Sequence, residues 1–183
     1  MKIIIHPEGI ENLWCDNIIY KIIPELETVE TTPGGEHHNE TVKQHLGYAF
    51  KEACKITDNT LLRLAIFLHD LGKGVTYSYI ESGEEHFYGH ENTGAYAAKD
   101  RMKILKFSKE EVDYVFTLIK CHMYSYKVTP GKKSYIRFFN TLEAAKIPIE
   151  DYVMLLYCDH QGNRAKPRIK FGDFIKGNWV YSL

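Results

Sequence analysis

Apolar residues recur at helical spacing through Ile10, Leu13, Trp14, Ile18, Ile19, Ile22 and Ile23, which predicts an amphipathic packing helix that Pro24 ends or bends. Ahead of it, Ile3 to Ile5 read as a short strand or an extended arm stopped by Pro7 and Gly9. Composition turns polar from Glu25 to Glu40, where Thr31-Thr32-Pro33-Gly34-Gly35 forms a flexible connection. Periodicity returns from Thr41 to Thr57, with Val42, His45, Leu46, Ala49, Phe50 and Ala53 on one stripe. Asp58 or Asn59 caps the next helix, which runs through Leu61, Leu62, Leu64, Ala65, Phe67 and Leu68 and is apolar enough to be buried on most sides. Gly72 and Gly74 end it by giving the turn backbone freedom.

Alternation over Val75 to Ile80 and Glu85 to Tyr88, around the turn Ser82-Gly83-Glu84, predicts a small hairpin. His90 opens a helix through Ala95, Ala97, Ala98, Met102, Ile104 and Leu105. Ser108-Lys109-Glu110-Glu111 is a capping box for another, with Val112, Val115, Phe116, Leu118 and Ile119 inward and His122 near its end. After a basic turn from Lys127 to Lys133, helices span Ser134 to Ala145 and Ile149 to His160. The expected fold is an all-α bundle of about six or seven helices, with at most this hairpin. Residues 1–35 form an arm and packing helix, 36–170 the domain proper, and 171–183 a tail without an assigned role.

Composition sets limits on partners. Twenty-three basic residues against 24 acidic ones give a net charge of −1, so attraction to nucleic acid or to an acidic membrane is local where it exists. Thirteen Tyr and nine Phe supply both a core and exposed stacking positions. Cys15, Cys54, Cys121 and Cys158 lack zinc-type spacing and each lies in an apolar helical context, which predicts reduced, buried thiols. The apolar run at the start is too short for a signal peptide and no stretch is long enough to span a bilayer, so a cytoplasmic protein without a membrane partner is expected. There is no internal repeat, Walker loop or dinucleotide fingerprint.

The chemistry gathers where the most apolar helix ends in His69-Asp70. An imidazole and a carboxylate carried inside the protein need a partner, and a divalent metal is the simplest one, since these donors suit Zn, Mn, Fe or Ni. His45 stands on the inward stripe of the preceding helix, while His90, His122 and Asp159 follow in helical segments. Asp159 ends a buried helix, where a carboxylate is costly unless paired or bound to metal. Lys73 either holds a phosphate oxygen beside the site or compensates a helix C-terminus. Arg137, Arg164, Lys166 and Arg168 are phosphate contacts or a solvated basic face, and His86 is a loop histidine or a substrate contact.

The ordered set His45, His69-Asp70 with Gly72-Lys73, Gly89-His90-Glu91, His122 and Asp159 resembles the HD superfamily of metal-dependent phosphohydrolases. It is similar in particular to the HD domain of bacterial-type CCA-adding enzymes, between about His38 and Arg164. The resemblance implies an HD helical bundle with His45, His69, Asp70 and Asp159 as metal ligands. It makes His90 and His122 ligands of a second ion or, alternatively, catalytic groups that position water, bind phosphate or protonate the leaving oxygen. Asp70, Lys73, His90 and His122 are the implied catalytic residues. Lys73, Arg137 and Arg164 are candidate substrate contacts, joined by His86 and, on a loop that resembles the family's, by His38 and Glu40. Related proteins often carry two adjacent histidines where this chain has His122-Met123, which leaves one nitrogen ligand there.

The implied cofactor is one or two divalent ions, Mn, Ni, Fe, Co or Zn, with Mg as a further option. The implied substrates are nucleotides or RNA ends, cleaved as a 2',3'-cyclic phosphodiesterase, 2'-nucleotidase or phosphatase. Alternatives are a deoxynucleoside 5'-monophosphatase, a cyclic-nucleotide phosphodiesterase, or a metal-binding regulatory module without catalysis. With nothing before His38 able to contain a nucleotidyltransferase domain, a stand-alone domain that adds no nucleotides is expected. Oligomeric state stays open.

Overall fold

The most apolar helix of the sequence is the central element of the structure, a computed structural model that describes residues 13, 17–35, 38–79, 84–126 and 132–177. In chain order its helices are α1 (Ile18–Ile22), α2 (Val42–Ile56), α3 (Thr60–Leu68), α4 (Lys73–Thr76), α5 (His90–Ile104), α6 (Lys109–Cys121), α7 (Lys132–Ala144), α8 (Ile149–Gly162) and α9 (Phe171–Gly177). Two 3-10 turns, Pro24–Val29 and His122–Tyr126, and a two-stranded antiparallel hairpin complete the described fold. The all-α expectation holds, with six helices of nine residues or more among the described residues.

Helix α3 forms because Asn59 caps it, its side-chain oxygen accepting from the amides of Leu61 and Leu62. Every residue from Leu62 to Leu68 is buried. Arg63 is tolerated among them because its guanidinium donates to Asp58 and to the Cys54 carbonyl. Helices α2, α6 and α8 pack around α3, α2 lies along α8, and α5 lies along α6. Capping boxes at Thr41–Gln44 and Ser108–Glu111 start α2 and α6. Ile19, Ile23, Leu26 and Val29 are buried, so the described N-terminal elements join the core. No described helix is long and apolar enough to cross a membrane.

Several expectations are corrected. Gly72 has an ordinary right-handed conformation, φ −67° and ψ −20°. It is required by proximity instead: a Cβ there would lie 2.1 Å from the His90 carbonyl oxygen, where α5 crosses the turn. The hairpin is shorter than alternation predicts, β1 (Ser78–Tyr79) pairing with β2 (Glu85–His86), because Lys73 to Thr76 wind into α4. Cys54 and Cys121 are half-buried and only Cys158 is fully buried, all three as free thiols. The C-terminal segment contains α9, whose Phe174 packs against Tyr157. Ile3 to Ile5, residues 10–12 and 14–16 of the first predicted helix with Cys15 among them, the tip of the hairpin and the loop before Lys132 lie outside the described residues.

Candidate metal centre

Four helix ends and one helix interior converge on one floor. His69 and His122 follow the last turns of α3 and α6, and each donates Nδ1–H to the carbonyl three residues earlier, Ile66 at 2.8 Å and Ile119 at 2.6 Å. His90 at the start of α5 does the same to Phe87 at 2.8 Å. The Phe87 and Ile119 carbonyls also accept from the backbone amides of His90 and His122, and the side-chain bonds fix each ring with its Nε2 turned inward. His45 comes from the buried stripe of α2 and Asp159 from the last turns of α8.

The inward atoms form two clusters that share Asp70. In the first, His45 Nε2 lies 3.2 Å from His69 Nε2, 3.1 Å from Asp159 Oδ1 and 3.6 Å from Asp70 Oδ2. His69 Nε2 stands 3.4 Å from Asp70 Oδ2 and 3.6 Å from Asp159 Oδ1. In the second, Asp70 Oδ1 is 3.3 Å from His90 Nε2 and 3.5 Å from His122 Nε2, which are 3.2 Å apart. Donors about 2.1 Å from a shared ion are separated by roughly 3.0–3.4 Å in octahedral or tetrahedral order. Both clusters match that spacing to within a few tenths of an ångström, and ring nitrogens facing each other at 3.2 Å need a shared proton or a metal cation between them. The residues present therefore fit a divalent ion in each cluster.

Electrostatics agree. Burial alone would raise the Asp70 carboxyl, but Lys73 and His69 overcome it and hold it well below the usual carboxylate range. Asp159 is likewise held low against burial by His45 and His69. Burial opposes charge on the His69 imidazole, yet Asp70 and Asp159 raise it to about 10. A field that favours a proton at this point favours a divalent cation in its place.

A support layer lies behind His45. Glu40 is buried and accepts from the amides of Asn39 and Arg164 and from His38 Nδ1 at 2.8 Å. Its Oε1 stands 3.5 Å from His45 Nδ1. Burial would raise the Glu40 carboxyl, but His45, His38 and the Arg164 amide hold it down at about 2, so it faces His45 as a carboxylate. With Nδ1 donating to Glu40, His38 offers Nε2 to Asn163 Nδ2 at 3.4 Å. A carboxylate behind a ligating imidazole orients it and raises its basicity. Glu40→Gln is expected to weaken metal binding about 10–100-fold, read by competition with a chromogenic chelator. Unchanged affinity would show that Glu40 only closes the loop.

Above the floor opens a cavity of about 650 Å³ lined in part by His38, Asp70, Lys73, His86, His90, His122 and Asp159. The structure thus brings together all the anticipated ligands and Lys73, whose Nζ is 2.8 Å from Asp70 Oδ2 and lies over the Phe87 ring. It does not bring in three of the arginines. Arg137 is exposed on α7 away from the cavity lining. Arg164 lays its guanidinium over the Tyr48 ring at 4.1 Å, and Arg168 donates to the carbonyl and side chain of Gln161. Glu40 acts from behind His45 instead of at the rim. Asn163, Phe87 and Tyr88 were not anticipated as site residues; the aromatic run before Gly89-His90 is the sequence signal that marks the last two.

The HD domain family model matches residues 35–157, and the chain belongs to this family, within the superfamily of metal-dependent phosphohydrolases. It is similar to a CC-adding tRNA nucleotidyltransferase of Thermus thermophilus, 31% identical over 149 residues, covering 80% of this chain and 33% of that protein. It is also similar to an A-adding tRNA nucleotidyltransferase of Deinococcus radiodurans, 27% identical over 169 residues, covering 91% and 38%. A multifunctional CCA protein of Actinobacillus pleuropneumoniae is 27% identical over 145 residues, covering 75% and 34%. The chain spans about a third of the length of the curated relatives it matches.

Proposed function

We propose that this chain hydrolyses phosphate mono- or diesters of nucleotides or RNA ends, as a 2',3'-cyclic phosphodiesterase, 2'-nucleotidase or phosphatase. The observation that carries the reading is Asp70, which turns one carboxylate oxygen to each of two histidine clusters on the floor of an open cavity. His45, His69, Asp70 and Asp159 would hold one ion, and Asp70, His90 and His122 would hold a second. Imidazole-rich donor sets favour Mn, Fe, Co, Ni or Zn over Mg. A divalent ion bound there acidifies water and polarises a phosphoryl oxygen.

The chain's own residues supply the rest. Lys73 is anchored by Asp70 and by the Phe87 ring, so its ammonium is held at the cavity wall where it meets a phosphoryl oxygen. The three Nδ1–H bonds to main-chain carbonyls prevent the imidazoles from rotating as charge changes beside them. Two of the relatives are named tRNA nucleotidyltransferases, which supports an RNA substrate.

The test is metal content of protein purified without a chelating tag, paired with chromatographic detection of product: a nucleoside monophosphate from 2',3'-cyclic phosphates and cyclic nucleotides, and free phosphate from 2'-monophosphates and deoxynucleoside 5'-monophosphates. Bound transition metal is expected, with turnover of 2',3'-cyclic phosphates and 2'-monophosphates that a chelator abolishes and added Mn, Ni or Co restores. Turnover of free deoxynucleoside 5'-monophosphates alone would remove the RNA-end reading. Neither metal nor turnover would leave a binding module.

A further inference from the structure

We infer that Tyr88, backed by His86, is a stacking platform for the nucleobase of the ester whose phosphate sits on the metal floor; the inference rests on the phosphohydrolase reading above. Tyr88 is 78% exposed, the most exposed large apolar side chain among the described residues, yet it is not loose on the surface. Its ring lies parallel to the His86 imidazole, with centroids 4.7 Å apart and planes at 16°. Both rings line the cavity that also contains Asp70, His90 and His122.

Local structure fixes the platform relative to the floor. The Phe87 carbonyl accepts from His90 Nδ1, and the Phe87 ring packs under the Lys73 ammonium. Tyr88 is therefore held between an anchored neighbour and a metal-cluster residue two positions on. Gly89 makes this possible: its φ of +75°, costly for other residues, turns the chain from the hairpin into α5 and leaves the Tyr88 ring outside the core. The cavity presents cationic and metal-binding groups at the floor and a flat aromatic face at the mouth, with Lys73 and Lys166 in its wall. A ligand complementary to that order has an anionic ester at one end and a flat π system at the other, which is a nucleotide. Stacking on one tyrosine accepts any base, so the platform selects nucleotides over base-free esters without selecting sequence.

The experiment compares kcat/KM for a nucleoside 2',3'-cyclic phosphate with that for 1-O-methylribose 2',3'-cyclic phosphate, in wild type, Tyr88→Ala and Tyr88→Phe. The preference for the nucleotide is expected to fall about tenfold or more in Tyr88→Ala and to survive in Tyr88→Phe, which keeps the π face and loses only the hydroxyl. A second readout needs no turnover: saturation transfer from protein to the base protons of a nucleoside 2'-monophosphate is expected in wild type and lost in Tyr88→Ala. Equal preference in wild type and Tyr88→Ala, with turnover intact, overturns the platform and leaves the hydrolase. Base contact that depends on Tyr88, in a protein that hydrolyses no ester, keeps the platform and overturns the hydrolase.

Discussion

Asp70→Asn is expected to abolish turnover, by about 10³-fold or more, and to empty both metal positions together. The reason is the division of labour between its two oxygens. Oδ2 faces His45, His69 and Lys73, while Oδ1 faces His90 and His122. The amide keeps the shape but turns one acceptor into a donor directed at a ring nitrogen that already lacks a proton. Groups that merely support a ligand cost 10–100-fold in affinity or activity, and a shared ligand is expected to exceed that. Loss of the charge also leaves the Lys73 ammonium, half-enclosed by the Phe87 ring, without its counter-ion. Because bound metal stabilises only the folded chain and chelated wild type keeps the Lys73–Asp70 pair, the variant is expected to melt below chelated wild type.

Two companion variants sharpen the result. Asp159 Oδ1 faces the ring nitrogens of His45 and His69 in the first cluster, and His122 Nε2 faces Asp70 Oδ1 and His90 Nε2 in the second, so Asp159→Asn and His122→Ala are each expected to lower metal content selectively where Asp70→Asn lowers it throughout. Inductively coupled plasma analysis of the three proteins beside wild type reads the stoichiometry directly. Full metal content and full activity in Asp70→Asn would remove the shared-carboxylate arrangement and with it the proposed function.

The fold was legible where the signal was local and long. Periodic apolar positions with recognisable caps, as at Ser108 and Asn59, place α2, α3, α5, α6 and α8 within a residue or two of their ends. The gathering of His45, His69, Asp70, His90, His122 and Asp159 was legible for a related reason: imidazoles and carboxylates on the apolar stripe or at the ends of buried helices turn inward. What sequence left open is the fate of groups whose partners lie far away along the chain. Arg164 and Arg168 read as phosphate contacts or as a solvated basic face, but the Tyr48 ring and the Gln161 acceptors engage their guanidinium groups. Glu40 read as a rim residue, but the amide of Arg164 and the ring of His38 turn its carboxylate toward the back of His45. The hairpin was overestimated because alternation in Val75 to Tyr79 competes with the carbonyl of Gly72, which accepts from the amides of Val75 and Thr76 and winds α4.

Gly72→Ala is expected to lower the melting temperature by roughly 6–12 °C, corresponding to about 3 kcal/mol in a domain of this size. A turn glycine with φ of −67° pays nothing for its conformation, and an alanine there would be harmless if conformation were its purpose. The obstacle is the main chain of α5. A Cβ at residue 72 would sit 2.1 Å from the His90 carbonyl oxygen and 2.6 Å from the Gly94 amide nitrogen, neither of which can rotate aside. The paired glycines let the turn after α3 touch α5, and this contact brings His90 Nε2 to 3.3 Å from Asp70 Oδ1. Separating the two backbones therefore moves His90 away from Asp70, while the first cluster, carried by α2, α3 and α8, keeps its spacing. The second metal is expected to leave before the first, and turnover to fall by about 10²-fold, the usual cost of misplacing a reacting group by an ångström. Gly47→Ala is the control: its Cβ meets nothing within 4 Å inside α2, so it is expected to be neutral or to stabilise the chain by up to about 1 kcal/mol. Equal melting of the two variants would show that the turn and α5 separate at no cost, and that the second cluster is not held together by their contact.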